Sequence, residues 1–179
     1  MSYIEESVAH EELKKALILA GMREIEQKGI VGLSLRRIAT KCGVSCAAPY
    51  RHFVNKERLV FAIISYVNSQ WEILKDSICT AFKDDEKKML LEICAATVLF
   101  WRANNNFRSV IMLDDKFLDA EQIKEKNRIT DEICDMVKRT CQNSDKKAFM
   151  VKSVLYGAAA DQMADINLIK DCLLTILAS

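Results

Sequence analysis

Three features of the 179-residue sequence predict an all-α fold. Helix breakers are scarce, with one proline and five glycines, which favours long helices over a sheet that needs many tight turns. Apolar residues recur at three- and four-residue spacing along most of the chain, the period of a helix with one buried face. Between 34 and 56 two short periodic stretches flank a glycine, the grammar of a helix-turn-helix. The architecture expected is an N-terminal three-helix helix-turn-helix domain over 1–55 and a larger C-terminal helical bundle over 56–179, about nine helices in all.

The first helix is expected from about Glu11 to Lys28, with Leu13, Ala16, Leu17, Ala20 and Ile25 at helical spacing and Gly29 as its stop. Ser34 can cap the second helix, because a serine oxygen accepts from an otherwise orphaned backbone N–H one turn on. Leu35, Ile38 and Ala39 form its apolar face, while Arg36, Arg37, Thr40 and Lys41 face away. Gly43 sits where the helix must stop and the backbone must turn left-handed. Ser45 is then placed to cap a helix from about Cys46 to Phe53. Its proline, Pro49, falls in the first turn, where it removes at most one helical bond. Between 34 and 58 the chain carries Arg36, Arg37, Lys41, Arg51, Lys56 and Arg58 against Glu57 alone. From 61 to 179 it carries sixteen basic and eighteen acidic side chains. Positive charge confined to one end fits contact with phosphates there.

The ordered series Ser34-Leu35-Arg36-Arg37-Ile38-Ala39, Gly43-Val44-Ser45, Ala48-Pro49-Tyr50-Arg51-His52-Phe53, then Lys56 and Leu59, resembles the DNA-binding signature of the TetR family of transcriptional regulators. The resemblance covers roughly the first third of the chain. It implies base or groove contact from Arg36, Cys46, Ala47 and Arg51, and phosphate contact from Ser34, Tyr50, His52 and Lys56, with Arg37 and Ser45 on the same surface. Small side chains at 46 and 47 cannot form bidentate bonds to base edges, so thymine methyl contacts and DNA shape are expected to carry part of the specificity. The partners implied are double-stranded DNA with a palindromic operator, a second copy of the chain, and a small-molecule effector that releases the DNA. A protein of the same fold with no effector is the alternative.

Asn55 is placed to cap a long helix to about Phe82, with Leu59, Ala62, Ile63 and Tyr66 closing the first core and Val67, Trp71, Leu74 and Ile78 facing a second. A charged run at 83–88 precedes a strongly apolar helix, Met89 to Ala103. Asn104 to Asn106 break the chain before a short helix from Phe107 to Leu113. Asp119 caps a helix to about Cys141 with Ile123, Asn127, Thr130, Ile133, Cys134 and Val137 inward, and Ser144 caps the next. The last runs from Ile166 to Leu177. An effector pocket, which the resemblance implies, would draw on Trp71, Cys94, Thr97, Trp101, Phe107, Met112, Asn127 and Thr130. Asp161 and Asp165 would counter a cationic ligand there or simply cap helix ends. Small residues at Gly157, Ala158 and Ala160, facing Ile169, Leu173 and Ile176, suit either an intramolecular hairpin or a four-helix bundle between two copies.

Other classes find little support. The seven cysteines form no Cys-x-x-Cys pair, and the only histidines are His10 and His52, poor material for a zinc site. Most cysteines have apolar neighbours and read as buried thiols, although Cys42 and Cys46 flank the turn, where a thiol switch is conceivable. No glycine-rich phosphate loop or nucleophile–base pair appears, so neither an enzyme nor a resident cofactor is expected. No apolar run reaches membrane-spanning length, and the acidic, polar start is unlike a signal peptide. The expected location is the cytoplasm, on the nucleoid.

Overall fold

In the computed structural model, which describes residues 3–141 and 144–178, α1 runs from Tyr3 to Lys28, α2 from Leu35 to Lys41, α3 from Ala48 to His52 and α4 from Lys56 to Ala81. Then follow α5 (Glu86–Ala103), α6 (Asn105–Ile111), one 3-10 turn (Asp115–Phe117), α7 (Ala120–Thr140), α8 (Ser144–Ala160) and α9 (Ile166–Ala178). The described residues are helical throughout their regular structure, and no strand occurs among them. α1 begins earlier than the expected Glu11, because the polar stretch before it contains no proline or glycine to stop it.

Short polar side chains set most of the helix starts. Asn55 Oδ1 accepts from Arg58 N at 2.9 Å, Asp85 Oδ1 from Lys88 N at 2.9 Å, and Asn104 Oδ1 from Asn106 N at 2.9 Å. Asp85 thus starts α5 three residues before Met89, and the chain breaks at Asn104 alone, so that α6 precedes Phe107. Asp119 and Gln122 satisfy each other's backbone N–H groups at 2.8 and 2.9 Å, a reciprocal capping box. Ser144 is the first residue of α8, and the residues before it, 142 and 143, lie outside the described residues.

The chain groups into two compact units. One holds residues up to Val67 together with Ser109–Lys126, and the other holds Asn68–Arg108 with residues from Asn127 onward. The division therefore falls inside α4, α6 and α7. In the first unit Leu17, Ile38, Leu59, Ile63 and Ile64 are fully buried. Gly21 lets α1 lie close to α4, since a Cβ there would stand 2.7 Å from Ile63 Cδ1. In this unit α7 turns Gln122 and Lys126 inward rather than Ile123. Gln122 Nε2 donates to Glu57 O at 2.8 Å, and Lys126 Nζ donates to Leu113 O at 2.7 Å and pairs with Asp115. A buried lysine is tolerable only when paired and hydrogen-bonded in this way.

In the second unit α5, α8 and α9 pack against one another, and Trp71, Ile93, Trp101, Ile133 and Leu155 are buried. Leu74, expected inward, is exposed, whereas Asn68 is buried. The Arg102 guanidinium donates to Ala158 O at 2.9 Å, Ala164 O at 2.8 Å and Asp161 O at 2.6 Å. It thereby satisfies one carbonyl at the end of α8 and two in the turn that follows. Asp161 and Asp165 accept from Met163 N and Asn167 N at 2.9 and 3.0 Å, so both carboxylates serve as local turns and caps.

Gly43 adopts φ +69° with open space where a side chain would go. Gly43→Ala should lower the stability of the full chain by about 1 kcal/mol through backbone strain alone, and Gly43→Asn by less. Urea denaturation checks this, and an alanine variant as stable as the parent would contradict it.

Candidate nucleic-acid interface

The helix-turn-helix is built as the local sequence requires at its first helix and differently at its second. Ser34 Oγ accepts from Arg37 N at 3.5 Å and starts α2, whose Leu35, Ile38 and Ala39 are buried. Cys42 ends α2, and Val44 N returns to Ala39 O at 3.0 Å across the Gly43 turn. The expected serine cap on the second helix is absent. Residues 46 and 47 form a turn, Ala48 N donates to Ser45 O at 3.0 Å, and Ala47 stands at the N-cap with no side-chain hydrogen bond. Pro49 shortens the helix from its front, and takes the second helical position, where its missing N–H costs nothing. Its ring is buried. The shortened start leaves Ser45, Cys46 and Ala47 exposed, beside exposed Tyr50 and Arg51.

Charge on this surface is not what the basic count implies. Glu24 on α1 is fully buried, and Lys41 Nζ lies 2.7 Å from its Oε1 while Arg37 Nε and Nη2 each lie 3.0 Å from its Oε2. Arg37 Nη2 also donates to Gly32 O. The Lys41 hydrogen bond, with those from Arg37, outweighs the burial and holds the Glu24 carboxyl below its ordinary value. Lys56 Nζ donates to Val31 O at 3.2 Å and Arg58 pairs with Glu121 at 2.9 Å. Four of the six basic groups are thus engaged within the unit. Arg36 and Arg51 are exposed, and among the described residues no acceptor holds either guanidinium. Arg37 and Lys56, expected on the DNA surface, serve first as ties to α1 and to the loop after it.

His52 departs from the phosphate-contacting role expected of it. It is half-buried, and its ring packs on His10 of α1 with centroids 4.1 Å apart. The cysteines are less buried than their neighbours suggested: Cys94 is fully buried, while Cys46 and Cys172 are exposed. Burial pushes the Cys94 thiol up to about 12. The Cys42 thiol is likewise raised by burial and directed at Ala16 O, 3.7 Å away, which leaves it a poor nucleophile. A cleft of about 200 Å³ in the same unit is lined by Ile30, Val31, Lys56, Glu57, Val60, Phe117 and Gln122. No local pattern announces it, because its walls come from three separated segments.

Residues 17–63 match the family model of the bacterial regulatory proteins of the tetR family. They are a TetR-family DNA-binding domain. Comparison with curated proteins gives no significant match. Solved structures share the whole fold at low identity. The transcriptional regulator FadR from Bacillus subtilis, in complex with stearoyl-CoA, is 16% identical with a TM-score of 0.72 over 92% of this chain and 97% of its own. AibR, in complex with isovaleryl coenzyme A and operator DNA, is 18% identical, with a TM-score of 0.68 over 88% and 94%. The multidrug binding protein EbrR, complexed with imidazole, is 15% identical, with a TM-score of 0.69 over 91% and 93%.

Outside the TetR-family domain, the expected effector residues fall into different environments. Trp71, Cys94, Thr97, Trp101 and Thr130 are buried core, Phe107 and Asn127 are half-buried, and Met112 is exposed and belongs to the first unit. Phe100 lies 5.6 Å from Trp71 and 5.1 Å from Phe107 between ring centroids, and Trp101 stacks on Tyr156 at 5.6 Å. Tyr156 donates its hydroxyl to Asn127 Oδ1 at 3.3 Å. Thr97 and Thr130 donate to Ile93 O and Asn127 O. The Nε1–H groups of Trp71 and Trp101 are buried without an acceptor among the described residues.

Of the residues expected at a dimer face, Ile169, Leu173 and Ile176 are buried within the single chain, as is Ala158, while Gly157 and Ala160 are exposed. The outward apolar side chains of α8 and α9 are instead Phe149, Met150, Leu168 and Leu174. Helical spacing alone does not say which of two apolar stripes on α9 turns inward. Among the described residues no helix is long and apolar enough to cross a membrane, and no group of three or more His, Cys, Asp or Glu side chains is placed to hold a metal ion.

Glu24→Gln should cost about 1–3 kcal/mol of stability, less than a fully buried broken pair because Arg37 and Lys41 are half-exposed and rehydrate. The folded-state value is depressed, so the anchor's contribution is present above pH 4.5 and is lost as pH falls through the lowered value. Thermal midpoints measured between pH 6 and pH 3 should converge for parent and variant, and a constant gap would count against the ionised anchor.

Proposed function

We propose that the chain is a transcriptional repressor that binds a palindromic operator as a homodimer and is released by a small molecule. In this reading residues 1–55 contact DNA, residues 56–179 hold the effector and the dimer face, and the protein acts in the cytoplasm on the nucleoid. The observation that carries it is the exposed surface around α3 of a TetR-family domain. Two unengaged guanidiniums, Arg36 and Arg51, flank small residues at 46 and 47 that let a backbone approach DNA closely. Phosphate attraction supplies affinity, and few hydrogen-bonding side chains remain for base edges.

Dimerisation is supported by the outward apolar residues on α8 and α9, since single exposed apolar residues are ordinary but several on one helix pair suit an interface. A two-fold pairing of that hairpin would form a four-helix bundle. Effector binding is supported by the aromatic cluster around Trp71 and Trp101, whose indole N–H groups favour an apolar ligand bearing an acceptor. A thermal shift with such ligands tests that part, because binding to the folded state alone must raise the midpoint.

Selection of bound duplexes from a random pool should return a palindromic consensus whose binding falls steeply with salt. Recovery of no duplex would sink the proposal. On that consensus, Arg36→Ala and Arg51→Ala should each weaken binding at least about tenfold with an unchanged thermal midpoint, whereas Arg37→Ala should lower the midpoint as well. Leu174→Glu with Phe149→Glu should shift the solution mass toward the monomer at micromolar concentration. A parent already monomeric there would overturn the dimer.

A further inference from the structure

The chain contains two histidines, and the fold brings both to one point. His10 lies on α1 and His52 on α3, with ring centroids 4.1 Å apart and planes inclined by 36°. The contact is built on one side and open on the other. His52 Nδ1 is buried with no hydrogen-bond partner, and Phe53, whose ring centroid is 6.1 Å away, enters the core immediately after it. The His10 side chain is 56% exposed and its Nδ1 lies 3.9 Å from Glu11 Oε1.

Two imidazoles packed at this distance tolerate one proton, because a cation against a neutral ring is attractive, but they resist a second. The charged groups acting on His52 come from α1: His10 and Lys14 oppose its protonation, Glu11 favours it, and burial opposes it most strongly, so that its pKa lies below 6.5. On α3 itself the neighbouring charge is that of Arg51, which has the same sign. Charge on both rings at once would therefore drive them apart. His52 directly follows Arg51 in a helix of only five residues, so whatever holds the His52 ring fixes how Tyr50 and Arg51 are presented.

We infer that His10 is a positioning residue for the reading helix, and that the His10–His52 contact makes operator recognition proton-sensitive, weakening as both rings become charged. The inference rests on the DNA-reading role proposed above. Its direction is opposite to that of an imidazolium contacting phosphate, which would strengthen binding in acid. A depressed histidine value stabilises the closed contact above about pH 6.5, and that contribution is lost as pH falls through the lowered value.

The test uses the full chain and the duplex recovered by selection, at constant ionic strength. Between pH 7.5 and 5.5 the ratio of specific to non-specific affinity should fall about five- to tenfold for the parent. His10→Phe keeps a ring on His52 without a second charge, so it should retain neutral-pH affinity and lose most of the pH dependence. His10→Ala should be weaker at every pH. Imidazole titration by NMR should show His52 below 6.5 and rising toward it in His10→Ala, a readout independent of DNA. A specific affinity that increases in acid, a His10→Phe variant with the full parental pH dependence, or a His52 titrating at or above 6.5 would each overturn the inference. Failure to bind any duplex would overturn both the DNA-reading role and the operator effect, and the titration would still decide whether the rings are coupled.

Discussion

One buried carboxylate organises the reading end of this protein. Glu24 has no exposed surface, yet it faces a lysine and an arginine from the outer side of α2. An ionised carboxylate in that position is sustainable only with charge-assisted bonds to it, and Arg37 and Lys41 supply them from adjacent turns. Because the same two side chains sit on the face opposite Leu35, Ile38 and Ala39, α2 is held by its apolar stripe and by its polar edge at once. Such an arrangement fixes rotation of the helix about its own axis, which a greasy stripe alone leaves loose.

This anchor changes what the positive patch means. A chain segment with six basic residues reads as a broad phosphate-binding surface, but four of the six are spent on Glu24, Val31 O and Glu121. What projects from the surface is narrow: two guanidiniums, a phenol, and the small side chains of the turn. The wide patch and the narrow one predict different salt slopes, since each released counterion belongs to a phosphate actually neutralised.

How far the sequence could be read follows from the range of each interaction. Helix starts were legible wherever a Ser, Asp or Asn lies beside its own helix, as at Ser34, Asn55 and Asp119, because a cap is settled within four residues. The second helix of the reader departs from its local pattern for the same reason in reverse. Ser45 has the right chemistry, but Pro49 and the tight turn fix the start at Ala48. Long-range pairings left no local trace. Nothing near Glu24 announces that Arg37 and Lys41 will reach it, nothing near Arg102 names the carbonyls of α8, and Lys126 looks like a solvated helix residue until Leu113 O and Asp115 are placed beside it. On α9 both Ile169-Leu173-Ile176 and Leu168-Leu174 are consistent with the helical period. Only the position of α5 and α8 decides between them, which is why Ile169, Leu173 and Ile176 lie in the core of the single chain.

Arg102 and the outward residues of that hairpin bear on one another. The guanidinium holds three carbonyls between Ala158 and Ala164, so the turn joining α8 to α9 is held by a side chain from a third helix in addition to the short-range bonds of Asp161 and Asp165. With the turn fixed, Ile169 and Leu173 must point inward, and Leu168 and Leu174 are carried to the outside together. The apolar outer face is thus a consequence of the same contact that closes the inner one. A surface set by a half-buried guanidinium with three acceptors is ordered within the single chain, and preorganisation of that kind would lower the ordering cost of the association proposed above.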